Sequence, residues 1–262
     1  MVMPIGDDNS DRVRTPLVNY AIIAVNVFVF VVLQGLGENV KFTYTYSCVP
    51  QEIVTGRDLV TEDEPVQTRD GRTFIKPGLQ PTPMPALRLT LWTSIFMHGS
   101  LAHLLGNMLF LWIFGDNIED RLGHIRYFLF YMICGLIASL AHVASTYMFQ
   151  GDPTIPSLGA SGAISGVMGG YLVLFPQRRV TVIMFRMITQ VPALVAVGLW
   201  FALQVISSLG ALGGSGGVAY GAHIGGFLAG VVLVKPFSIG MPPAAPAAYG
   251  PRVISLPYRR RF

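Results

Sequence analysis

Two residues in this 262-residue chain have the types and surroundings that nucleophilic chemistry needs: Ser161, in Gly159-Ala160-Ser161-Gly162, and His223, in Gly221-Ala222-His223-Ile224-Gly225-Gly226. A serine hydroxyl is a weak nucleophile until a base takes its proton, and a neutral imidazole within hydrogen-bond reach is the usual base. Glycines on both sides of Ser161 clear space around the hydroxyl and admit a substrate backbone. Helical spacing sets Gly226 and Gly230, at i+3 and i+7, on the face of the imidazole, so that this face can press against the helix of Ser161. Alone, Gly-x-Ser-Gly is also an ordinary helix-packing surface, and Ser165 reads as one. Alone, an intramembrane histidine can simply hydrogen-bond a carbonyl. His103 and Asn107, four apart, share one helix face. Two donors there, with the Ser161 backbone N–H, can hold a developing oxyanion. His98 and His103 also admit a metal reading, but no carboxylate or thiol accompanies them and Asn is a weak ligand. Neither a metal nor a cofactor is expected.

The elements that must position these residues are membrane helices. Asp, Glu, Lys and Arg make up 12% of the chain, against about 25% in a soluble domain, and mean hydropathy is +0.54. That composition excludes an ordinary soluble fold. Spans need about 20 mostly apolar residues, and six runs approach that length: Pro16 to Leu36, Leu101 to Ile118, Tyr127 to Phe149, Ser157 to Phe175, Val191 to Leu212 and Tyr220 to Val234. His103, Ser161 and His223 fall near the starts of runs two, four and six, which cross in one direction, so they lie at similar depth. Apart from the long connection between runs one and two, which carries charges of both signs, Lys and Arg outside the runs collect on one side, which reads as cytoplasmic for both termini and places the polar starts at the external face. The basic pI of 9.2 then records topology, and a nucleic-acid partner is not expected. Two cysteines, Cys48 and Cys134, supply no disulfide framework.

Three segments follow: a short cytoplasmic N-terminus at 1–15, a six-helix membrane domain at 16–238 and a Pro/Ala-rich basic tail at 239–262. A long external loop at 37–91 interrupts the domain. Within it, Asp70-Gly71 reads as the turn of a small hairpin, and Leu87 to Phe96 reads as an interfacial stretch anchored by Trp92. Deep inside the runs the ionisable residue is His142, expected to hydrogen-bond a neighbouring helix.

The motifs His103-x3-Asn107, Gly159-x-Ser161-Gly162 and Ala222-His223 followed by Gly226-x3-Gly230 together resemble the rhomboid intramembrane serine proteases, across all six runs and in the same order. That resemblance implies an all-α, polytopic, six-transmembrane-helix bundle in which Ser161 and His223 form a catalytic dyad while His103 and Asn107 stabilise the oxyanion. Gly159, Gly162, Gly226 and Gly230 support the motif. Glu119-Asp120-Arg121 resembles the family's Glu-x-Arg and reads as structural, as does His98. The implied activity is cleavage of membrane-anchored proteins near the external bilayer face, with transmembrane protein substrates and the lipid bilayer as partners, in a prokaryotic cell membrane. The resemblance implies substrate entry past run five; the glycine-rich Gly210 to Gly217 beside it reads as a mobile cap, and Trp200 and Phe201 either face that gate or, as aromatic residues on such a helix more often do, simply face lipid. A non-catalytic relative that binds membrane clients would share the fold but normally lack the serine or histidine. A transporter or channel would carry ionisable residues deep in several spans.

Overall fold

The computed structural model describes residues 2–67, 71, 73–83, 86–184, 187–211 and 220–241. Six apolar helices occupy the six runs. They are α1 (Leu17–Phe28, continued by a π turn over Val29–Leu33), α5 (Leu101–Leu122), α6 (His124–Met148), α7 (Ser161–Leu174), α8 (Ala193–Ala211) and α9 (Tyr220–Phe237). The short helices α2 (Val40–Tyr46), α3 (Pro50–Thr55) and α4 (Thr90–Thr93) lie in the long connection. So does a hairpin, β2 (Glu64–Gln67) paired with β3 (Thr73–Lys76). Of the six, α5, α6 and α9 are long and apolar enough to cross a membrane outright.

The fourth run departs from expectation at its start. Helix begins at Ser161 rather than Ser157, because Ser157 pairs through its backbone with Cys48 and Gly159 takes a φ of +127°. The resulting α7 of 14 residues is about 21 Å long at 1.5 Å per residue, shorter than a hydrocarbon core of about 30 Å. Its first residue therefore starts inside the bundle. Every residue from Gly162 to Tyr171 is buried, with α5, α6, α8 and α9 packed around it.

Small residues make the α7–α9 contact. A Cβ placed on Gly226 would stand 2.0 Å from the Gly162 carbonyl oxygen, and one on Gly230 would stand 1.8 Å from that of Gly166. Neither position admits a side chain. This backbone-on-backbone seam is the kind of close approach that small residues permit between membrane helices, and it runs from the depth of Ser161 toward the far end of the bundle.

The far end holds structure that an all-helical reading omits. Residues Val2–Asp7 form strand β1, which pairs antiparallel with β4 (Arg179–Met184), itself paired with β5 (Met187–Pro192). The sheet order is β1-β4-β5. Val180 and Val182 alternate inward and are fully buried, which gives the sheet a core face. The start of the chain is thus a strand, and α8 begins at Ala193, after β5, rather than at Val191. Asp116, Asn117 and Glu119 on α5 hold this end. Glu119 accepts hydrogen bonds from the Val18 and Asn19 N–H groups at 2.9 and 2.7 Å, Arg12 donates to Asp116, and Asn117 donates to Asp7. Asp116 lies within the second run and is 4% exposed, so His142 is not the lone deep ionisable group. The structural reading of Glu119 agrees with these bonds.

Candidate active site

The site grows from helix starts. Ser100 caps α5, its hydroxyl accepting from the His103 N–H at 3.1 Å, which fixes the first turn and presents His103 and then Asn107 on one face. No side chain caps α7. The first N–H groups of a helix have no intrahelical acceptor, so the Ser161 N–H is left to the site. Gly159, just ahead, carries its positive φ and also leaves no room: a Cβ there would lie 2.9 Å from His103 Cε1 and 3.7 Å from Ser161 Oγ. Only glycine lets the chain pass between the histidine and the serine.

His223, in the first turn of α9, faces Ser161 across the seam. Its Nε2 lies 2.8 Å from Ser161 Oγ. Its Nδ1 lies 2.8 Å from Oε1 of Gln204 on α8, and the Trp200 ring stands 6.1 Å from the imidazole. Around the pair is a cavity of about 310 Å³, lined by His103, Asn107, Ser161 and His223 with Gln204 and Trp200, and floored by apolar residues that include Phe110 and Met168. Asn107 Nδ2 is buried there with no hydrogen-bond partner among the described residues. A buried amide donor left unmade is costly, and this one faces the space beside the serine.

All four polar residues singled out in the sequence therefore meet in one cavity. The supporting glycines divide: Gly159 packs on His103, whereas Gly162, Gly226 and Gly230 belong to the seam below. His98 does not line the cavity. It is fully buried, with its ring against that of His103, 5.1 Å between centroids, and burial followed by the neighbouring His103 pushes its imidazole down to about 3. Its backbone is clasped by Gln34, whose Oε1 accepts from the His98 N–H at 2.9 Å and whose amide donates to the His98 carbonyl at 3.0 Å. These backbone bonds fit the structural reading, while the two ring nitrogens of His98 are buried with no hydrogen-bond partner among the described residues. Ser165 donates to the Ser161 carbonyl at 2.6 Å, as a packing serine would. Trp200 lines the cavity, while Phe201 stacks on Phe227 at 4.1 Å. Most of the stretch Gly210 to Gly217 lies outside the described residues.

Gln204 and the buttress above the site were not singled out from sequence. The long connection braces the approach to α7 through paired backbone bonds of Cys48 with Ser157, at 3.0 and 2.8 Å, and of Gln51 with Pro153 at 3.0 Å. A lone Gln in an apolar helix was the available signal for Gln204.

Comparison with known proteins agrees with this architecture. Residues 87–239, over half of the chain, match the family described as Rhomboid domain. The chain is 33% identical over 148 residues to Rhomboid protein 1, mitochondrial, of Saccharomyces cerevisiae, covering 55% of this chain and 40% of that protein. It is 34% identical over 166 residues to Rhomboid protease GluP of Bacillus subtilis, covering 63% and 28%. To the presenilin-associated rhomboid-like protein, mitochondrial, of Homo sapiens it is 31% identical over 142 residues, covering 54% and 36%. The match spans less than half the length of each of these relatives. With a matching domain over most of the helical bundle and a polytopic helical architecture to go with it, the chain belongs to the rhomboid family.

Proposed function

We propose that this protein is an intramembrane serine endopeptidase that cleaves transmembrane segments of membrane-anchored proteins, with Ser161 as nucleophile and His223 as general base. The observation that carries the reading is the 2.8 Å contact between Ser161 Oγ and His223 Nε2 at the wall of a cavity with unused donors. Ser161 Oγ bonds to the scissile carbonyl carbon as its proton passes to Nε2. The oxyanion so formed sits against the Ser161 N–H, Asn107 Nδ2 and His103, which need no reorganisation to receive it. Collapse breaks the C–N bond, and His223 returns the proton to the leaving amine. Water, deprotonated by the same imidazole, then attacks the acyl ester and frees Ser161. A substrate helix must unwind locally, because its carbonyls are otherwise engaged in their own hydrogen bonds.

A polar cavity within an apolar bundle supports action at membrane depth, where irregular backbone is tolerated only if it lines such a cavity. The name of the Bacillus subtilis relative supports protease activity. That relative also favours a prokaryotic cell membrane, and the names of two others favour a mitochondrial one; fractionation of the source cell decides between them.

Ser161→Ala and His223→Ala, each in folded protein reconstituted in lipid, should reduce cleavage of a transmembrane reporter to background. A fluorophosphonate probe should label Ser161 in the unaltered chain. Cleavage retained by either variant overturns the dyad, and a folded chain that binds the reporter without cutting it or reacting with the probe is a client-binding protein instead.

A further inference from the structure

For His223 to act as the base of the proposed dyad, its Nε2 must carry no proton. A neutral imidazole carries a single N–H, on Nδ1 or on Nε2, and only the Nδ1–H form leaves Nε2 with a lone pair for the Ser161 hydroxyl. In the opposite form Nε2–H would donate to Ser161 Oγ, and no base would face the nucleophile. The group hydrogen-bonded to the other ring nitrogen decides between the two forms. Here that group is the Gln204 side-chain oxygen, 2.8 Å from Nδ1, and a carbonyl oxygen can only accept. We propose that Gln204 is a positioning residue that holds His223 in its Nδ1–H form and steadies the imidazolium once Ser161 has given up its proton.

The proposal rests on the dyad reading and adds to the pair a third member, lent by a different helix. Ser161 comes from α7, His223 from α9 and Gln204 from α8. The same face of α8 carries Trp200, one turn earlier, whose ring also stands beside the imidazole. Gln204 lines the same cavity as Ser161, His103 and Asn107, and its hydrogen bond there is to His223. Its task is to act through His223 rather than on the substrate. When His223 becomes a cation, the Nδ1–H···O bond becomes charge-assisted and stronger, so the contact favours the protonated state that the attack creates.

The test uses the full chain in lipid with three variants and two readouts. Gln204→Met keeps the length of the side chain and removes the acceptor, and should slow fluorophosphonate labelling of Ser161 and lower kcat about 10- to 100-fold with KM little changed. Gln204→Glu restores an acceptor that cannot present an N–H, and should bring labelling back to within several-fold of the unaltered chain; a purely structural role would make a buried carboxylate at least as harmful as Met. Imidazole 15N spectra, with the His223 signals assigned by their loss in His223→Ala, should show Nδ1 protonated in the unaltered chain and a mixture of forms in Gln204→Met. Labelling of Gln204→Met at the unaltered rate, Gln204→Glu as slow as Gln204→Met, or Nε2–H in the unaltered chain each overturns the proposal while leaving Ser161 and His223 in place. An unaltered chain that does not label at Ser161 removes the dyad and this assignment together.

Discussion

The two ends of α5 use polar side chains in opposite ways. At one end His103 and Asn107 face a cavity, and the Asn107 amide donor has no protein partner among the described residues. At the other, Glu119 accepts from two backbone N–H groups of α1 and meets the His124 ring, while Asp116 and Asn117 hold Arg12, Asp7 and Arg178. One helix thus divides its work. Side chains that are satisfied by protein fix the chain, whereas a donor left open within the fold is available to charge that appears only during a reaction. An unmet donor marks a site only where it also lines the cavity: the His98 ring nitrogens and two nitrogens of Arg121 are likewise buried without partners among the described residues but lie outside it.

The sharpest break of this comparison is Asn107→Ala. It should lower kcat about 10²- to 10³-fold if Asn107 is an oxyanion donor, yet leave thermal stability unchanged or slightly raised, since a buried unpaired amide is removed; a large fall in stability would move Asn107 to the anchoring class. Glu119→Ala should do the reverse. It strands the buried Asn19 N–H and the part-buried Val18 N–H and should cost about 2–6 kcal/mol of stability at roughly 1–3 kcal/mol for each unmet donor, while the folded fraction keeps its cleavage rate; denaturation in detergent read beside activity separates the two.

The smallest expected effect is one of pH at the strand end. Burial, with Asp116 and Asp8 nearby, raises the Asp7 carboxyl to about 7 against the opposing pull of the Tyr171 hydroxyl and Arg178. An acid with a native pKa above its unfolded value of 3.8 binds more protons when folded. Its contribution is fully present below that unfolded value and is lost as pH rises through about 7. Docking of β1 should therefore loosen between pH 5 and pH 8, seen as faster proteolysis of the N-terminal segment, and Asp7→Asn should flatten that dependence. A pH-independent cleavage pattern in the unaltered chain would remove Asp7 as the titrating group.

Much of the site was legible because its residues stand against apolar runs. Ser161, His223, His103 and Asn107 are conspicuous where little else is polar, and their shared position near helix starts predicted a common depth. Gln204 was not legible as a partner of His223, because it sits in α8 without a neighbouring motif and only the packing of α8 on α9 brings it to Nδ1. The sheet was hidden for another reason. Val2–Asp7 has a proline and a glycine in six residues and becomes a strand only by pairing with Arg179–Met184, far along the chain. Asp116, between Gly115 and Asn117 near the end of a long apolar run, does not stand out as buried in the sequence because its burial depends on Arg12 arriving from the N-terminal segment. What escaped the reading in each case was a contact between distant stretches, which local pattern does not encode.

The glycine seam has a consequence for assembly. Small residues recur every four positions on both helices, so a slip of α9 by four residues, about 6 Å at 1.5 Å per residue, would set Gly226 beside Gly166 and Gly230 beside Gly170. Glycine would still meet glycine. The seam alone is thus nearly degenerate in register, and the choice falls to other contacts of α9, among them the close packing of Gly221 and Gly225 on Ser145 and Ala141 of α6 and the bonds at its two ends. At one end is the bond of His223 to Ser161; at the other, Arg126 of α6 donates to the carbonyls of Phe237 and Ile239 as α9 ends. The proposed catalytic bond of His223 to Ser161 thereby also helps to set where α9 stops along α7.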